Sequence, residues 1–320
     1  MQSYLKTRPV GSQVFIFLSL VLSAVLIFVA MLGTWIATWY TGLSLGEISD
    51  VANWKLSDPR YVLFLRLMLA IQFVGLFVVP VLVFAYLSDP RPKRYLGLRP
   101  TALPFYIAGV LVMIAAIPLV EYLGFLNQKI DFPNGIEGWM KSTEKEAQQQ
   151  IAMLLQQRSA SSLVLNIIMI AGFAGIGEEL FFRGVVQRLA IWGAKNVWVG
   201  IIVTAFLFSA LHLQFYGFFP RFLLGILLGA IYWYSGSLWP AILTHFFYDA
   251  LLITLAYFNP EMITEQQSSL IPVPAMLWMA LVSAAVVAAL VWYMRKLSTA
   301  TEARFHQERN LDEPQSFTFE

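Results

Sequence analysis

The stretch Gly-Glu-Glu-Leu-Phe-Phe-Arg at residues 177–183 decides how this sequence is interpreted, because it sets three charges inside an apolar run. The run extends from about residue 163 to residue 191, which is long enough to cross a bilayer. Each carboxylate in hydrocarbon costs about 2.5–3.5 kcal/mol on insertion scales. A chain keeps such charges where they are paired, neutralised or used, so their partners are expected in neighbouring apolar segments.

The composition of the whole chain places it in a membrane. Of its 320 residues, 58% are hydrophobic and only 12% are charged, whereas soluble domains carry about 25% charged residues. A net charge of +2, with no basic run interleaved with aromatic residues, argues against nucleic acid as a partner. Because the chain has no cysteine, disulfides, thiol catalysis and cysteine-ligated metal sites are excluded.

Long apolar stretches predict an all-α fold, a polytopic transmembrane helix bundle of about eight spans. The first stretch is too long for a signal-peptide core, so we interpret it as a retained span. We expect one bundle over residues 1–298, with a motif-bearing core at about 162–258, followed by a mobile polar tail at 299–320. The predicted spans are residues 12–40, 61–87, 101–125, 162–191, 196–216, 219–235, 237–258 and 271–294.

Basic residues predict the orientation of the bundle. If the N-terminus is cytoplasmic, the inner segments carry more lysine and arginine than the outer segments, most densely in the cluster Arg91–Arg99. Both termini are therefore predicted to be cytoplasmic.

The connection after the third span contains an amphipathic segment at about 134–158. Its pattern predicts a helix on the outer membrane face, and packing on the bundle is favoured over a role as a substrate gate. Its apolar residues, spaced among Glu, Lys and Gln, are Ile136, Trp139, Met140, Ile151, Leu154 and Leu155.

The charges of the opening stretch point in different directions on a helix. Glu179 and Arg183 are four residues apart and share a face, so a charge-assisted pair is expected between them. Glu178 points about 140° away from Arg183 at about 100° per residue. A buried ion pair that only stabilises a helix contact explains Glu179 and Arg183. It leaves Glu178 available as a general base.

Two of the three histidines lie in predicted spans. Phe208 lies one turn before His212, and His245 lies one turn before Asp249, so each pair projects from one helix face. A lone histidine on an apolar face is commonly a packing residue. Two histidines, two free carboxyl groups and an arginine among apolar helices indicate a functional site instead.

Two kinds of chemistry fit these residues. Two histidines with acidic side chains supply the nitrogen and oxygen ligands that zinc accepts, although the helical His-Glu-x-x-His spacing is absent. In the metal-free alternative, Glu178 and His212 activate a water molecule, while His245 and Asp249 donate to the oxyanion that forms on a cleaved amide. Asp249 can donate only if it is protonated; otherwise it orients His245.

The ordered motifs Glu178-Glu179-x-x-x-Arg183, Phe208-x-x-x-His212 and His245-x-x-x-Asp249 resemble those of the CAAX protease and bacteriocin-processing (Abi) family of intramembrane glutamic endopeptidases. The resemblance covers about residues 163–249, and the Arg91–Arg99 stretch ending Leu-Gly-Leu-Arg is also similar to the family.

The resemblance implies a helical membrane enzyme, without cofactor or metal, that hydrolyses a peptide bond. It assigns water activation to Glu178 and His212, and the oxyanion site to His245 and Asp249, where the family commonly has asparagine. Its implied partners are the lipid bilayer and a peptide or membrane-protein substrate, with or without a prenyl group. It also implies a multi-pass protein of a bacterial inner membrane, with roles in peptide maturation such as bacteriocin processing. The alternatives that stay open are a zinc protease on the same residues and a non-proteolytic regulatory or binding protein.

The predicted spans leave one geometric conflict. At about 1.5 Å per residue, they place Glu178 near the inner face and His212 near the outer face, about 20 Å apart. For the two residues to share a site, one of the two helices must begin or end elsewhere.

Overall fold

The computed structural model describes residues 4–5, 8–55, 57–259 and 273–298, and every regular element within these ranges is helical. The predicted all-α membrane bundle is therefore confirmed. The predicted mobile tail at 299–320 lies outside the described residues, as do Lys6, Arg304 and Arg309, which contributed to the predicted orientation.

Nine long helices make up most of the described part of the chain, and short helical turns join some of them. Seven of the nine are long and apolar enough to cross a membrane; α4 and α6 are the exceptions. The helices are α1 (Val10–Thr41), α2 (Pro59–Ser88), α3 (Leu103–Asn127), α4 (Asn134–Leu155), α5 (Ala160–Ala194), α6 (Val197–Ala210), α7 (Phe218–Ser235), α8 (Leu238–Phe258) and α9 (Val273–Leu297).

The predicted fifth span, residues 196–216, is wrong in length. Helix α6 ends at Ala210 after 14 residues, about 21 Å, which is shorter than the roughly 30 Å of a hydrocarbon core. The chain then turns through Leu213, whose φ of 56° is left-handed, into a short 3-10 turn at Phe215–Gly217. The apolar run continued through this turn, so hydropathy alone did not reveal the end of the helix.

Helices α3, α5, α7 and α8 form the centre of the bundle, with α6 packed against α5 and α7. Buried side chains from these helices form the main hydrophobic core, including Val112, Phe182, Ile201 and Ile231. Helix α9 packs on α3 at the periphery, and α1 packs along its length on α2. Many large apolar side chains of α1 and α9 remain exposed, as expected for surfaces that face lipid.

Helix α4 is the amphipathic segment that the sequence predicts. Its C-terminal half buries Met153, Leu154 and Leu155, whereas Ile136 and Trp139 remain about half exposed. The helix contacts α2, the start of α5, α8 and the turn at Phe215–Gly217. It therefore packs across the same end of the bundle at which α6 stops short.

Candidate active site

The first motif lies about half-way along α5, where the helix widens into a π-helical segment at Glu179–Val186. Short π-helical segments occur frequently at functional sites. The predicted pair is present: Arg183 Nη1 donates to Glu179 Oε1 over 2.7 Å, and both side chains are fully buried. The charges are therefore held inside the bundle and away from lipid.

Arg183 also connects α5 to two other helices. Its Nη2 donates to the backbone oxygen of Gly225 on α7 over 3.0 Å, and its guanidinium lies 4.8 Å from the ring centre of Phe208 on α6. Gly225 allows α6 and α7 to pack closely at this point, because a Cβ there would lie only 3.0 Å from the Cβ of Ala205 on α6. Arg183 thus fixes the positions of α5, α6 and α7 relative to one another.

Glu179 has a second partner that the sequence did not predict. Its Oε1 also accepts from His245 Nδ1 on α8 over 2.8 Å. Helices α5 and α8 approach closely here, since a Cβ on Gly175 would lie 3.0 Å from the backbone nitrogen of Phe246. One carboxylate oxygen therefore joins Arg183 to His245.

The other ring nitrogen of His245 faces a second carboxylate. Its Nε2 lies 3.4 Å from Asp249 Oδ2, and the Asp249 side chain is partly exposed, whereas Glu179 is fully buried. An imidazole with N–H groups on both nitrogens satisfies this arrangement, with Glu179 fixing the ring from one side and Asp249 facing it from the other. The predicted i, i+4 relation of His245 and Asp249 is present.

His212 lies just beyond the end of α6, and its orientation is fixed by its own helix. Its Nδ1 lies 2.6 Å from the backbone oxygen of Phe208. Because a carbonyl oxygen only accepts, Nδ1 carries the hydrogen and Nε2 is left with a free lone pair when the ring is neutral. The ring of His212 packs 5.0 Å from that of Phe208, and the ring of His245 lies 6.1 Å from the same Phe208 ring. Phe208 therefore separates and aligns the two imidazoles.

Glu178 faces the same region from α5. It is partly buried and makes no hydrogen bond with His212 or any other side chain among the described residues. It interacts electrostatically with His245 and Asp249, and His212 interacts with the same two groups. Glu178 and His212 thus each lie near enough to His245 and Asp249 to interact electrostatically, although Glu178 and His212 make no direct hydrogen bond among the described residues.

The predicted 20 Å difference in depth between Glu178 and His212 is wrong. Glu178 lies about 24 Å before the end of α5 at Ala194. His212 lies about 22 Å beyond the start of α6 at Val197. The two residues therefore lie at nearly equal distances from the tight turn at Lys195, whose φ of 52° is left-handed.

Two further polar residues near the site were not singled out from the sequence. Gln187 is fully buried, one turn beyond Arg183, and its Nε2 donates to the backbone oxygen of Gly229 over 3.1 Å. Arg221 lies near the start of α7 and interacts electrostatically with Glu178. The i, i+4 spacing from Arg183 could have indicated Gln187. The position of Arg221 inside an apolar run could have indicated a role beyond its contribution to the orientation of the bundle in the membrane.

In the described ranges, no three His, Asp or Glu side chains are placed to hold one metal ion. Glu179 and Asp249 face opposite nitrogens of the His245 ring, so their oxygens diverge from a common centre.

The fold and the site together define a class of protein: a polytopic membrane protein that encloses acidic, histidine and arginine side chains between its helices. Residues 160–251 match the sequence model of the family described as Rce1-like, type II CAAX prenyl endopeptidase Rce1-like. The match runs from the start of α5 into α8 and contains all three motifs, so it confirms the resemblance on which the sequence interpretation depends. No curated protein and no solved structure matches the chain significantly.

Proposed function

We propose that this protein is an intramembrane endopeptidase that hydrolyses a peptide bond of a membrane-associated or lipidated substrate. The observation that carries the proposal is the grouping of Glu178, His212, His245 and Asp249 around one region, with His245 held by the Arg183–Glu179 pair. The family match over this segment supports a CAAX-type protease, with a prenylated peptide as the substrate class.

Water activation is assigned to Glu178 and His212. The free Nε2 of His212 and the Glu178 carboxylate are acceptors for the two hydrogens of a water molecule bound between them. The water oxygen attacks the carbonyl carbon while its proton passes to one of these bases. When the C–N bond breaks, the same proton is delivered to the leaving amine, so the base is restored.

His245 is assigned to the oxyanion of the tetrahedral intermediate. Its Nδ1–H is used by Glu179, so the donor toward substrate is Nε2–H. Asp249 Oδ2 faces this nitrogen in the structure. We assign Asp249 to orienting His245 in the empty enzyme, since an ionised carboxylate has no hydrogen to donate to an oxyanion. When the intermediate forms, the oxyanion replaces Asp249 Oδ2 as the acceptor of the Nε2–H.

The test is cleavage of a prenylated peptide by the purified protein in nanodiscs. Glu178→Ala and His212→Ala should each abolish turnover, and His245→Ala should lower kcat by about 100-fold or more, the effect of removing an oxyanion donor. Retained cleavage in a double Glu178→Ala, His212→Ala variant would refute the proposal. An exposed arginine outside the site, Arg158, supplies the control variant Arg158→Gln.

The two alternatives give different results in the same preparation. A zinc protease would contain stoichiometric zinc and lose activity with a chelator, whereas the proposed mechanism predicts activity that chelators leave unchanged. For a non-proteolytic regulatory protein, Glu178→Gln would complement a deletion strain fully. A bacterial inner membrane, cytoplasmic termini and a role in bacteriocin processing remain proposals that follow from the resemblance and the charge pattern.

A further inference from the structure

Arg221 lies in an apolar span and has no ion-pair partner in the part of the chain that the structure describes. It lies four residues into α7, and no carboxylate oxygen among the described residues lies within 4.0 Å of it. Its hydrogen bonds go only to Gln214: Nη1 donates to the backbone oxygen over 3.0 Å, and Nη2 to Oε1 over 2.8 Å. An ionisable side chain within an apolar span is by default a candidate for function.

The position of Arg221 connects it to the candidate active site. It interacts electrostatically with Glu178 and with His212. It is also tied to the connection that follows His212, because both of its hydrogen bonds go to Gln214, two residues after that histidine. The cation therefore lies beside the two residues to which we assign water activation.

A carboxylate of helix α4 lies near Arg221. Glu144 interacts electrostatically with Arg221, and its Oε2 is buried without a hydrogen-bond partner. Burial raises the pKa of Glu144, and the charge of Arg221 offsets only part of that effect. Helix α4 is held near this loop by the ring of Trp139, which packs 5.3 Å from that of Phe215. Glu144 and Arg221 thus lie close enough to interact but too far apart to pair directly.

Given the proposed peptidase activity, on which this inference rests, we propose that Arg221 binds the free C-terminal carboxylate of the peptide substrate. Gln214 uses two of the five N–H donors of the guanidinium, so donors remain for an incoming carboxylate. Arginine binds carboxylates in a planar, paired geometry that gives both affinity and orientation. Glu144 supplies the negative charge near Arg221 in the empty enzyme and competes with the substrate. Arg221 would therefore direct cleavage to a bond close to a chain end.

The experiment compares two S-farnesylated peptides that differ only at the C-terminus, one a free acid and the other an amide. Wild-type protein in nanodiscs should cleave the acid with a KM about 10- to 100-fold lower than the amide, the effect of losing one charge-assisted contact. In Arg221→Gln this preference should vanish, and in Arg221→Lys it should persist in part. Glu144→Gln should lower the KM of the acid several-fold and leave that of the amide unchanged. Arg158→Gln, an exposed charge change, should behave as wild type.

A purely structural role for Arg221, in fixing the loop of His212, gives another pattern. Arg221→Gln would then slow both peptides equally and keep the ratio of acid to amide. That result, or a wild-type enzyme with no preference between the peptides, would overturn the proposal.

A binding measurement separates this proposal from the peptidase activity itself. Glu178→Gln protein should bind a dye-labelled acid peptide more tightly than the amide, and adding Arg221→Gln should remove the difference. If wild type cleaves neither peptide but this binding difference is present, the peptidase proposal fails and the Arg221 site stands. If both peptides are cleaved but bind equally, the Arg221 proposal fails and the peptidase proposal stands.

Discussion

At the scale of single residues, Glu179 does more than the helix-stabilising pairing that sequence spacing suggests. One oxygen accepts from both Arg183 and His245, at 2.7 and 2.8 Å. The carboxylate therefore neutralises a buried arginine and also fixes the orientation of the imidazole assigned to the oxyanion. This places Glu179 among the positioning residues of the proposed mechanism, since it acts through His245.

Glu179→Ala is expected to destabilise the protein by about 3–5 kcal/mol, because it leaves Arg183 buried without its counter-ion. Thermal unfolding of the detergent-solubilised protein measures this change. The matched control is Glu137→Ala, which breaks an i, i+4 pair of 2.6 Å between Glu137 and Lys141 on the exposed face of α4. Exposed helical pairs contribute about 0.3–0.5 kcal/mol, so the control should barely shift the midpoint. Equal shifts in the two variants would contradict this account of Glu179.

Asp249→Asn tests the assignment of Asp249 as a group that orients His245. Asparagine retains an oxygen that can accept from His245 Nε2–H, so peptide cleavage should stay within about 3-fold of wild type. Asp249→Ala removes the acceptor and should lower kcat by about 10- to 100-fold. Single-turnover cleavage of the prenylated peptide measures both variants. An Asp249→Asn variant as inactive as Asp249→Ala would mean that the negative charge itself is required.

At the scale of helices, the close packing of α5, α6 and α7 depends on a small residue at the crossing. Gly225→Ala should destabilise the protein by about 1–3 kcal/mol, because the new methyl group overlaps the contact with Ala205. Gly138→Ala on α4 is the control, since a Cβ there meets nothing within 4 Å. Removing a helical glycine there should stabilise by about 0.5–1 kcal/mol. Thermal unfolding of both variants checks the signs, and two shifts in the same direction would refute this description of the crossing.

Much of the helix arrangement could be predicted from the sequence. Hydropathy gave most of the span bounds to within a few residues, and the spacing of Glu179 and Arg183 gave their ion pair, because both signals are local along the chain. The end of α6 could not be predicted in this way, since residues 211–216 are apolar enough to continue a span. The bond from Glu179 to His245 joins residues far apart in sequence, so only the packing of α5 on α8 reveals it.

At the scale of the whole molecule, the predicted orientation can be tested without first removing reactive thiols, because the chain has no cysteine. Gly138→Cys on α4 and Lys93→Cys in the loop before α3 introduce thiols at exposed positions. With both termini cytoplasmic, a membrane-impermeant maleimide should label the first variant in intact cells and the second only after permeabilisation. The opposite labelling pattern would mean that the bundle is inserted the other way round, with α4 on the cytoplasmic side.

The shortness of α6 has a consequence for the surrounding lipid. One face of this helix, including Ile202 and Phe206, is exposed at the perimeter of the bundle. A helix of about 21 Å cannot match a hydrocarbon layer of about 30 Å, so the adjacent leaflet must dip toward it. Such a depression would bring interfacial water and polar head groups down to the level of His212. Turnover should therefore fall as acyl chains are lengthened from 14 to about 22 carbons in reconstituted phosphatidylcholine bilayers, where this dimple costs more to form.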